Sequence, residues 1–138
     1  AINLATPLLF IKAFANQKIK NGAIVNISSI EAIRPAINHS HYASTKAGLL
    51  NLTMSSALEL GKKNIRVNSI CPGLTERPGL ERDWPEGVKS WLDQVPLGRL
   101  CTGDDIANST LFLVSEASSF ITGACITVDG GISSVSGW

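Results

Sequence analysis

The spacing of apolar residues along the chain alternates between a helical period and a strand period. A helix is predicted over residues 4–18, where Leu4, Leu8, Ile11 and Ala15 form one stripe, and Asn21-Gly22 follows as a stop signal. Residues 23–27 are a short β-branched run, typical of a buried parallel strand. A long helix is predicted from about residue 40 to residue 61.

The second half of the chain continues the alternation. The remaining predicted elements are two strands, at 65–71 and 124–128, and two helices, at 87–93 and 102–114. Thr102 is a suitable N-cap, and Asp105 stands three residues later as in a capping box. Gly130-Gly131 predicts a tight turn after the last strand.

This order of elements predicts the fold class. Helices that alternate with strands require right-handed crossovers and a parallel sheet with helices on both faces, which is a doubly wound α/β fold. Such a fold that binds a dinucleotide has two halves, and the glycine-rich first turn of the phosphate-binding half does not occur here. We therefore expect residues 1–138 to be the C-terminal part of one domain, without its N-terminal half. The only methionine is Met54, which agrees with a piece of a longer chain.

Composition limits the classes of partner. The chain has a net charge of +1 and no basic cluster longer than Lys62-Lys63, which argues against nucleic acid or an anionic membrane. No apolar run approaches the roughly 20 residues of a membrane span, so we expect a soluble protein. The cysteines are Cys71, Cys101 and Cys125, an odd count without paired spacing. This disfavours a disulfide framework or a metal site and favours a reducing cytoplasm.

Three polar residues suggest a catalytic site. Tyr42 and Lys46 stand four residues apart near the start of the long helix, so they share one face. A tyrosine has an ordinary pKa near 10, and bringing it to about 7 takes about 4 kcal/mol. One ammonium about 4 Å away supplies about that much at an effective dielectric near 20. Ser29 closes the preceding strand, at the carboxyl edge where α/β sheets bind ligands.

The pattern Ser29-x12-Tyr42-x3-Lys46 resembles the catalytic triad of the short-chain dehydrogenase/reductase family. The similarity extends over essentially the whole chain and follows the family's order. The segments that carry it lie at 24–29, 42–48, 65–73, 96–99, 119–123 and 128–131.

The resemblance implies a Rossmann-like fold and an oxidoreductase that moves a hydride between NAD or NADP and a ketone or secondary alcohol. In it, Tyr42 is the general acid/base, Lys46 assists Tyr42 and binds the nicotinamide ribose, and Ser29 binds the substrate oxygen. Asn3 matches the helix asparagine that holds a water in the proton relay. The nicotinamide ring would contact the turn formed by Pro72, Gly73, Leu74 and Thr75. No residue here selects NAD over NADP, because that residue belongs to the other half.

The family pattern also implies a small carbonyl or alcohol substrate and a homodimer or homotetramer, with helices 4–18 and 40–61 at the interface. One departure concerns the Pro-Gly turn, where the family has Pro-Gly-x-x-x-Thr and this chain has Arg77. A hydroxyl contact with nicotinamide is then lost or is made by Thr75. Arg77 itself either meets a cofactor phosphate or an acidic substrate, or is a solvent-facing charge.

Other residues have plainer interpretations. His39 and His41 are interpreted as exposed loop residues, and Asp104 and Asp105 as acids at a helix start. In the family, the irregular segment after the Pro-Gly turn is the substrate lid. Its two tryptophans either line an apolar pocket or pack the lid onto the core; they are Trp84 and Trp91.

Two other functions compete with an oxidoreductase. One is a non-catalytic truncated remnant that keeps only the oligomerisation helices. The other is a nucleotide-sugar epimerase, which shares the Tyr-x3-Lys pattern. An epimerase of that branch continues into a substrate domain after the segment at 128–131, and this chain does not.

Overall fold

The computed structural model describes residues 2–17, 19 and 21–135. Its strands are β1 (Gly22–Ile27), β2 (Ile65–Pro72) and β3 (Cys125–Val128). Its helices are α1 (Ala5–Ala15), α2 (Ser40–Leu60), α3 (Leu80–Asp83), α4 (Pro85–Leu92) and α5 (Gly103–Val114). The predicted alternation is confirmed. Helix α1 ends at Ala15, and the predicted end at Lys18 lies outside the described residues.

The three strands form one parallel sheet in the order β1-β2-β3. Ile27 lies opposite Ile70 in the first pair, and Cys125 lies opposite Ser69 in the second. Strand β2 is therefore central in this sheet. Within the described part of the chain, β1 and β3 each pair along one edge only.

Helices cover both faces of this sheet. Successive residues of a strand point to opposite faces. Val67 belongs to the core cluster that includes Ile11 of α1 and Leu60 of α2. The neighbouring Arg66 points the other way, where its guanidinium donates to the carbonyl of Leu113 at the end of α5. Helices α1 and α2 thus lie on one face and α5 on the other.

A cluster of apolar side chains forms the core on the α1/α2 face, and strand β2 contributes Ile65 and Val67 to it. Val67 is fully buried, which stabilises the fold by about 1.5–3 kcal/mol for a side chain of this size. The buried members of the cluster are Ile11, Ala57, Leu60, Ile65 and Val67, with Phe14, Ala15, Ile24 and Leu52 packed against them.

Polar side chains inside the fold have hydrogen-bond partners. Asn26 of β1 donates from Nδ2 to Thr53 Oγ1 of α2 at 2.9 Å, and the Thr53 hydroxyl donates to the Leu49 carbonyl. Asn68 of β2 donates to the Ile121 carbonyl. Because a buried amide without partners is costly, these bonds fix α2 against β1 and the loop at Ile121 against β2.

The segment between β2 and α5 contains more helix than the sequence indicates. One helix is predicted at 87–93, whereas the structure has α3 and α4 separated by Trp84. Gly79 adopts a left-handed conformation before α3, and Pro85 occupies the first turn of α4. Both are local start signals that apolar periodicity does not reveal.

The start of α5 is confirmed as a capping box. The Thr102 side chain accepts the Asp105 N–H, and the Asp105 carboxylate accepts the Thr102 N–H at 2.8 Å. The predicted turn at Gly130-Gly131 is also present, with both residues at positive φ. Burial alone would raise the pKa of the adjacent Asp129, but N–H donors from Gly131 and Ser133 outweigh it and lower that pKa.

Candidate active site

Lys46 joins the start of α2 to the end of β1. Its Nζ donates to the Ile27 carbonyl at 2.9 Å, and its own carbonyl accepts the Ser28 hydroxyl at 2.9 Å. Burial lowers the pKa of Lys46 below its ordinary value, and the neighbouring Cys71 partly offsets this. The ammonium is consequently held in a defined, partly desolvated position at the carboxyl edge of the sheet.

Tyr42 occupies the first turn of α2, one turn before Lys46. The Lys46 Nζ lies 5.7 Å from the centroid of the Tyr42 ring, close enough for a cation to interact with an aromatic face. The Tyr42 carbonyl accepts the Thr45 hydroxyl at 2.8 Å, which orders this turn. The structure therefore brings together the tyrosine and the lysine that the sequence pairs.

Ser29 is buried, with 8% of its surface exposed, and lies two residues after the carbonyl that holds Lys46. Its Oγ accepts the Glu31 N–H at 3.1 Å and so caps a short 3-10 turn, Ile30–Ala32. A hydroxyl accepts and donates, and this bond uses only its acceptor side. The Ser29 proton is thus left to donate to a ligand oxygen.

Asn3 lies against the same part of α2. Its Nδ2 donates to Thr45 Oγ1 at 3.3 Å, one residue from Lys46. This contact brings the asparagine to the neighbourhood of the lysine, as the family pattern implies. Its function in holding a water stays a prediction.

The turn after β2 is fixed to two neighbouring segments. The Gly73 N–H donates to the Val128 carbonyl of β3 at 2.9 Å, and the Cys101 N–H donates to the Leu74 carbonyl at 3.0 Å. The Thr75 hydroxyl donates within the turn, to the Gly73 carbonyl at 3.2 Å. Pro72, the last residue of β2, is buried. These bonds hold Pro72, Gly73, Leu74 and Thr75 beside the edge of the sheet, and we call these four residues the ledge.

Trp91 of α4 packs directly on this ledge. A Cβ atom on Gly73 would lie 2.8 Å from Trp91 Cζ2 and 2.9 Å from the Asp129 Cα, so a larger residue does not fit there. The Trp91 Nε1 is buried and is without a hydrogen-bond partner among the described residues. Trp91 thus packs the segment onto the core and also carries an unused donor next to the ledge.

Trp84 differs from Trp91. Its side chain covers Gly87 at the start of α4 and is 53% exposed. The two tryptophans therefore have different surroundings: Trp91 packs on the core, whereas Trp84 faces solvent in the described structure.

Several charged residues around the site form ion pairs. Arg77 donates to the Asp83 carboxylate at 2.8 Å on an exposed surface, which favours the solvent-facing interpretation of Arg77. His39 lies 2.9 Å from the Glu31 carboxylate. Asp105 accepts two bonds from Arg99, and this guanidinium holds the pKa of the carboxyl well below its usual range.

Sequence reasoning missed two features of the site. Ser28, which holds the Lys46 carbonyl, carries no recognisable signal beyond its place at the strand end. The second feature is the contact between Cys71 and Cys125, whose sulfurs lie 3.1 Å apart. The alternation of β2 does contain a usable signal, because it puts Cys71 on the same face as Val67, toward α2.

None of the helices in the described residues is long and apolar enough to cross a membrane. Nor does that part of the chain bring together three His, Cys, Asp or Glu side chains that could hold a metal ion.

Comparisons with known proteins agree with this geometry. A family model described as Enoyl-(Acyl carrier protein) reductase matches residues 1–133. The chain is 44% identical over 116 residues to the 3-oxoacyl-(acyl-carrier-protein) reductase FabG of Chlamydia muridarum, which covers 83% of this chain and 46% of that protein. It is 41% identical over 139 residues to the L-xylulose reductase of Caenorhabditis elegans, which covers 96% of this chain and 55% of that protein.

A solved structure is similar over the same region. The crystal structure of a proposed 2-deoxy-D-gluconate 3-dehydrogenase from Agrobacterium tumefaciens, with bound NADP, matches with a TM-score of 0.85 at 32% identity. The match covers 96% of this chain and 56% of that chain. It confirms the Rossmann-like, doubly wound class of the fold.

The chain therefore belongs to the short-chain dehydrogenase/reductase family. Its two named relatives are both reductases, one of an acyl-carrier-protein substrate and one of a sugar. The chain spans about half the length of the curated relatives it matches.

Proposed function

We propose that this chain forms the catalytic part of an NAD- or NADP-dependent oxidoreductase that interconverts a ketone and a secondary alcohol. The observation that carries the proposal is the position of the Lys46 ammonium. It is anchored on the Ile27 carbonyl at the end of β1 and lies 5.7 Å from the Tyr42 ring. A family relative with bound NADP supports the choice of cofactor.

The residues present fit a nicotinamide cofactor. Lys46 offers a fixed cationic donor suited to ribose hydroxyl groups, and Tyr42 lies beside it. The ledge of Pro72, Gly73, Leu74 and Thr75 offers backbone without bulky side chains at Gly73. Trp91 packs on Gly73 and so closes one side of that ledge.

When bound, the nicotinamide ring supplies or accepts the hydride. This chain's own residues handle the proton and the developing charge. Ser29 donates its free hydroxyl proton to the substrate oxygen, and Tyr42 protonates that oxygen during reduction or removes its proton during oxidation. Lys46 stabilises the ionised form of Tyr42 through its charge. Asn3, next to Thr45, would hold the water that returns the proton to Lys46.

The substrate is proposed only as a small-molecule carbonyl or alcohol. The two named relatives act on chemically different ketones, so the shared chemistry is the carbonyl group itself. The part of the site that surrounds the rest of the substrate includes α4, whose Trp91 lies over Gly73.

A homodimer or homotetramer is also part of the proposal. Helices α1 and α2 expose large apolar side chains that water does not favour, including Phe10 at 71% and Leu58 at 85%. Burying them against symmetry copies of α1 and α2 would remove that surface from water. The full-length protein would complete the domain with the half that binds the cofactor phosphates.

The test is an assay of NADH and NADPH consumption by the full-length protein, with a 3-oxoacyl thioester and a ketose as substrates. Ser29→Ala should lower kcat by about 100-fold, as expected for loss of one donor to a developing oxyanion. Ser44→Ala, on the exposed side of α2, is the control and should leave kcat unchanged. Equal rates for Ser29→Ala and the parent would remove Ser29 from the mechanism.

A further inference from the structure

Two cysteines on neighbouring strands are in direct contact. Cys71 of β2 and Cys125 of β3 hold their sulfurs 3.1 Å apart, although Cys125 lies opposite Ser69 in the register, two residues earlier. Their surroundings differ: Cys71 is fully buried, whereas Cys125 is exposed. One sulfur can therefore meet a soluble reagent, and the other is shielded directly behind it.

The buried member of the pair touches the candidate active site. The carbonyl of Ile70, the residue before Cys71, accepts the Ser28 N–H at 2.7 Å, and Ser28 and Ser29 both act to lower the pKa of the Cys71 thiol. Cys71 also immediately precedes Pro72 and Gly73, which begin the ledge for the nicotinamide ring. A displacement of the Cys71 sulfur would therefore disturb both the ledge and the two serines that follow β1, Ser28 and Ser29.

We propose that Cys71 and Cys125 are a modification site at which a hydroperoxide forms a reversible disulfide, and that the disulfide lowers the activity of the enzyme. In the first step the Cys125 thiolate attacks one oxygen of hydrogen peroxide, the O–O bond breaks, and Cys125 becomes a sulfenic acid while hydroxide leaves. That hydroxide takes up the proton that the Cys125 thiol had released on ionising and becomes the first water. In the second step the Cys71 sulfur attacks Cys125, hydroxide leaves, and it takes the Cys71 proton as a second water. Two thiols are oxidised, and one hydrogen peroxide is reduced to two waters.

The order of attack follows from exposure, because the exposed Cys125 sulfur can meet a dissolved peroxide and the buried Cys71 sulfur cannot. The hydrogen bond between the two sulfurs also lowers the pKa of Cys125. The same hydrogen bond, together with burial, raises the pKa of Cys71. Since the thiolate is the nucleophile, Cys125 reacts first at neutral pH and Cys71 resolves the sulfenic acid.

The geometry needs little change to close the bond. A disulfide holds its sulfurs about 2.0 Å apart, so the pair must approach by roughly 1 Å. Cys125 lies on a strand that pairs along one edge only in the described residues, which leaves it freer to move than central β2. The approach draws the Cys71 sulfur away from Ser28 and Ser29, so we expect turnover to fall by at least about fivefold. This consequence rests on the proposed function; the disulfide itself does not.

Peptide mapping tests the disulfide without any variant. The full-length protein is treated with hydrogen peroxide, alkylated, and cut with trypsin and a glutamate-specific protease. The three cysteines of this sequence then fall on separate peptides: 67–76, 100–116, and the peptide that begins at residue 117 and contains Cys125. We expect a crosslink between the peptide 67–76 and the peptide that contains Cys125, and dithiothreitol should remove it. Sulfinic or sulfonic acid at Cys125 without the crosslink, or a crosslink through 100–116 instead, would overturn it.

Variants separate the modification from its effect on catalysis. Cys125→Ser should abolish the crosslink and keep full activity in peroxide. Cys101→Ser is the matched control, because it removes the third thiol and should leave the crosslink and the peroxide sensitivity intact. A crosslink that forms without loss of turnover would refute the regulatory consequence, and a protein with no turnover at all would refute the proposed function while the crosslink still stands.

The pH dependence of alkylation gives an independent measure of the contact. Ionisation of Cys125 should make its rate of reaction with iodoacetamide rise to half its maximum at a pH below the ordinary thiol pKa of about 8.5. In Cys71→Ala, whose side chain has no donor, the midpoint should move up toward that ordinary value. A midpoint near 8.5 in the unmodified protein would show that the thiols do not share a proton.

Discussion

Lys46 has two functions in this structure, because its side chain binds the last residue of β1 and its backbone binds the residue that follows. The Nζ meets the Ile27 carbonyl and the backbone carbonyl meets the Ser28 hydroxyl. One residue thus fixes both the distance between α2 and β1 and the position of a positive charge beside Tyr42. Experiments must therefore distinguish the contribution of Lys46 to the fold from its contribution to the reaction.

Replacing Lys46 with Met in the full-length protein should affect chemistry and cofactor binding together. The ammonium that favours ionised tyrosine is lost, so the pH profile of alcohol oxidation should move upward by about one unit or more. We also expect kcat to fall by about 100-fold. Rates are measured from pH 6 to pH 10, and cofactor affinity by titration.

Lys62→Met is the control for this change, because Lys62 is an exposed lysine just beyond α2. It should keep both the profile and the affinity. If the Lys46→Met profile stays in place while only stability falls, Lys46 is a structural residue.

Single residues also show what sequence can predict. The spacing of Tyr42 and Lys46 is local, because a four-residue interval on a helix places two side chains on one face. Cys71 contacts Cys125, which is 54 residues away in the chain, and Trp91 contacts Gly73, which is 18 residues away. Such contacts follow from the register of β2 with β3 and from the path of the loop, which no local pattern contains.

Among the elements, the long helices and the strands were predictable because their apolar periods are strong. The three strands and α2 lie within about two residues of their predicted bounds. Helices α3 and α4 were not resolved from each other, since Gly79 and Pro85 set their starts and neither changes the apolar period. The prediction followed the apolar periodicity and therefore missed the conformational signals of these two single residues.

The capping box of α5 gives a prediction at this scale. Thr102→Ala removes the side chain that accepts the Asp105 N–H and should lower the free energy of unfolding by about 1 kcal/mol. Urea unfolding measures it as a lower midpoint with an unchanged slope. Thr110→Ala, in the interior of the same helix, is the control and should not lower the midpoint. A Thr102→Ala midpoint equal to that of the parent would show that the cap does not stabilise α5.

The whole molecule presents an open side along β1. A groove of about 540 Å³ runs there, lined by α1, by β1 and by two residues of α2, Lys46 and Leu49. The groove ends at the residues that the proposed function uses, Asn3 and Lys46. Since relatives of this chain are about twice its length, we propose that a further part of the domain lies against this side in the full-length protein.

The central claim is that Tyr42 moves the proton in a nicotinamide-dependent reaction. Tyr42→Phe in the full-length protein keeps the aromatic ring beside Lys46 and removes only the ionisable hydroxyl. The measurement is steady-state turnover of the parent and the variant, paired with titration of NADPH binding to each. We predict a loss of about 100-fold or more in kcat, with cofactor affinity unchanged within about threefold. A variant that retains turnover within about tenfold of the parent would show that another residue is the acid/base.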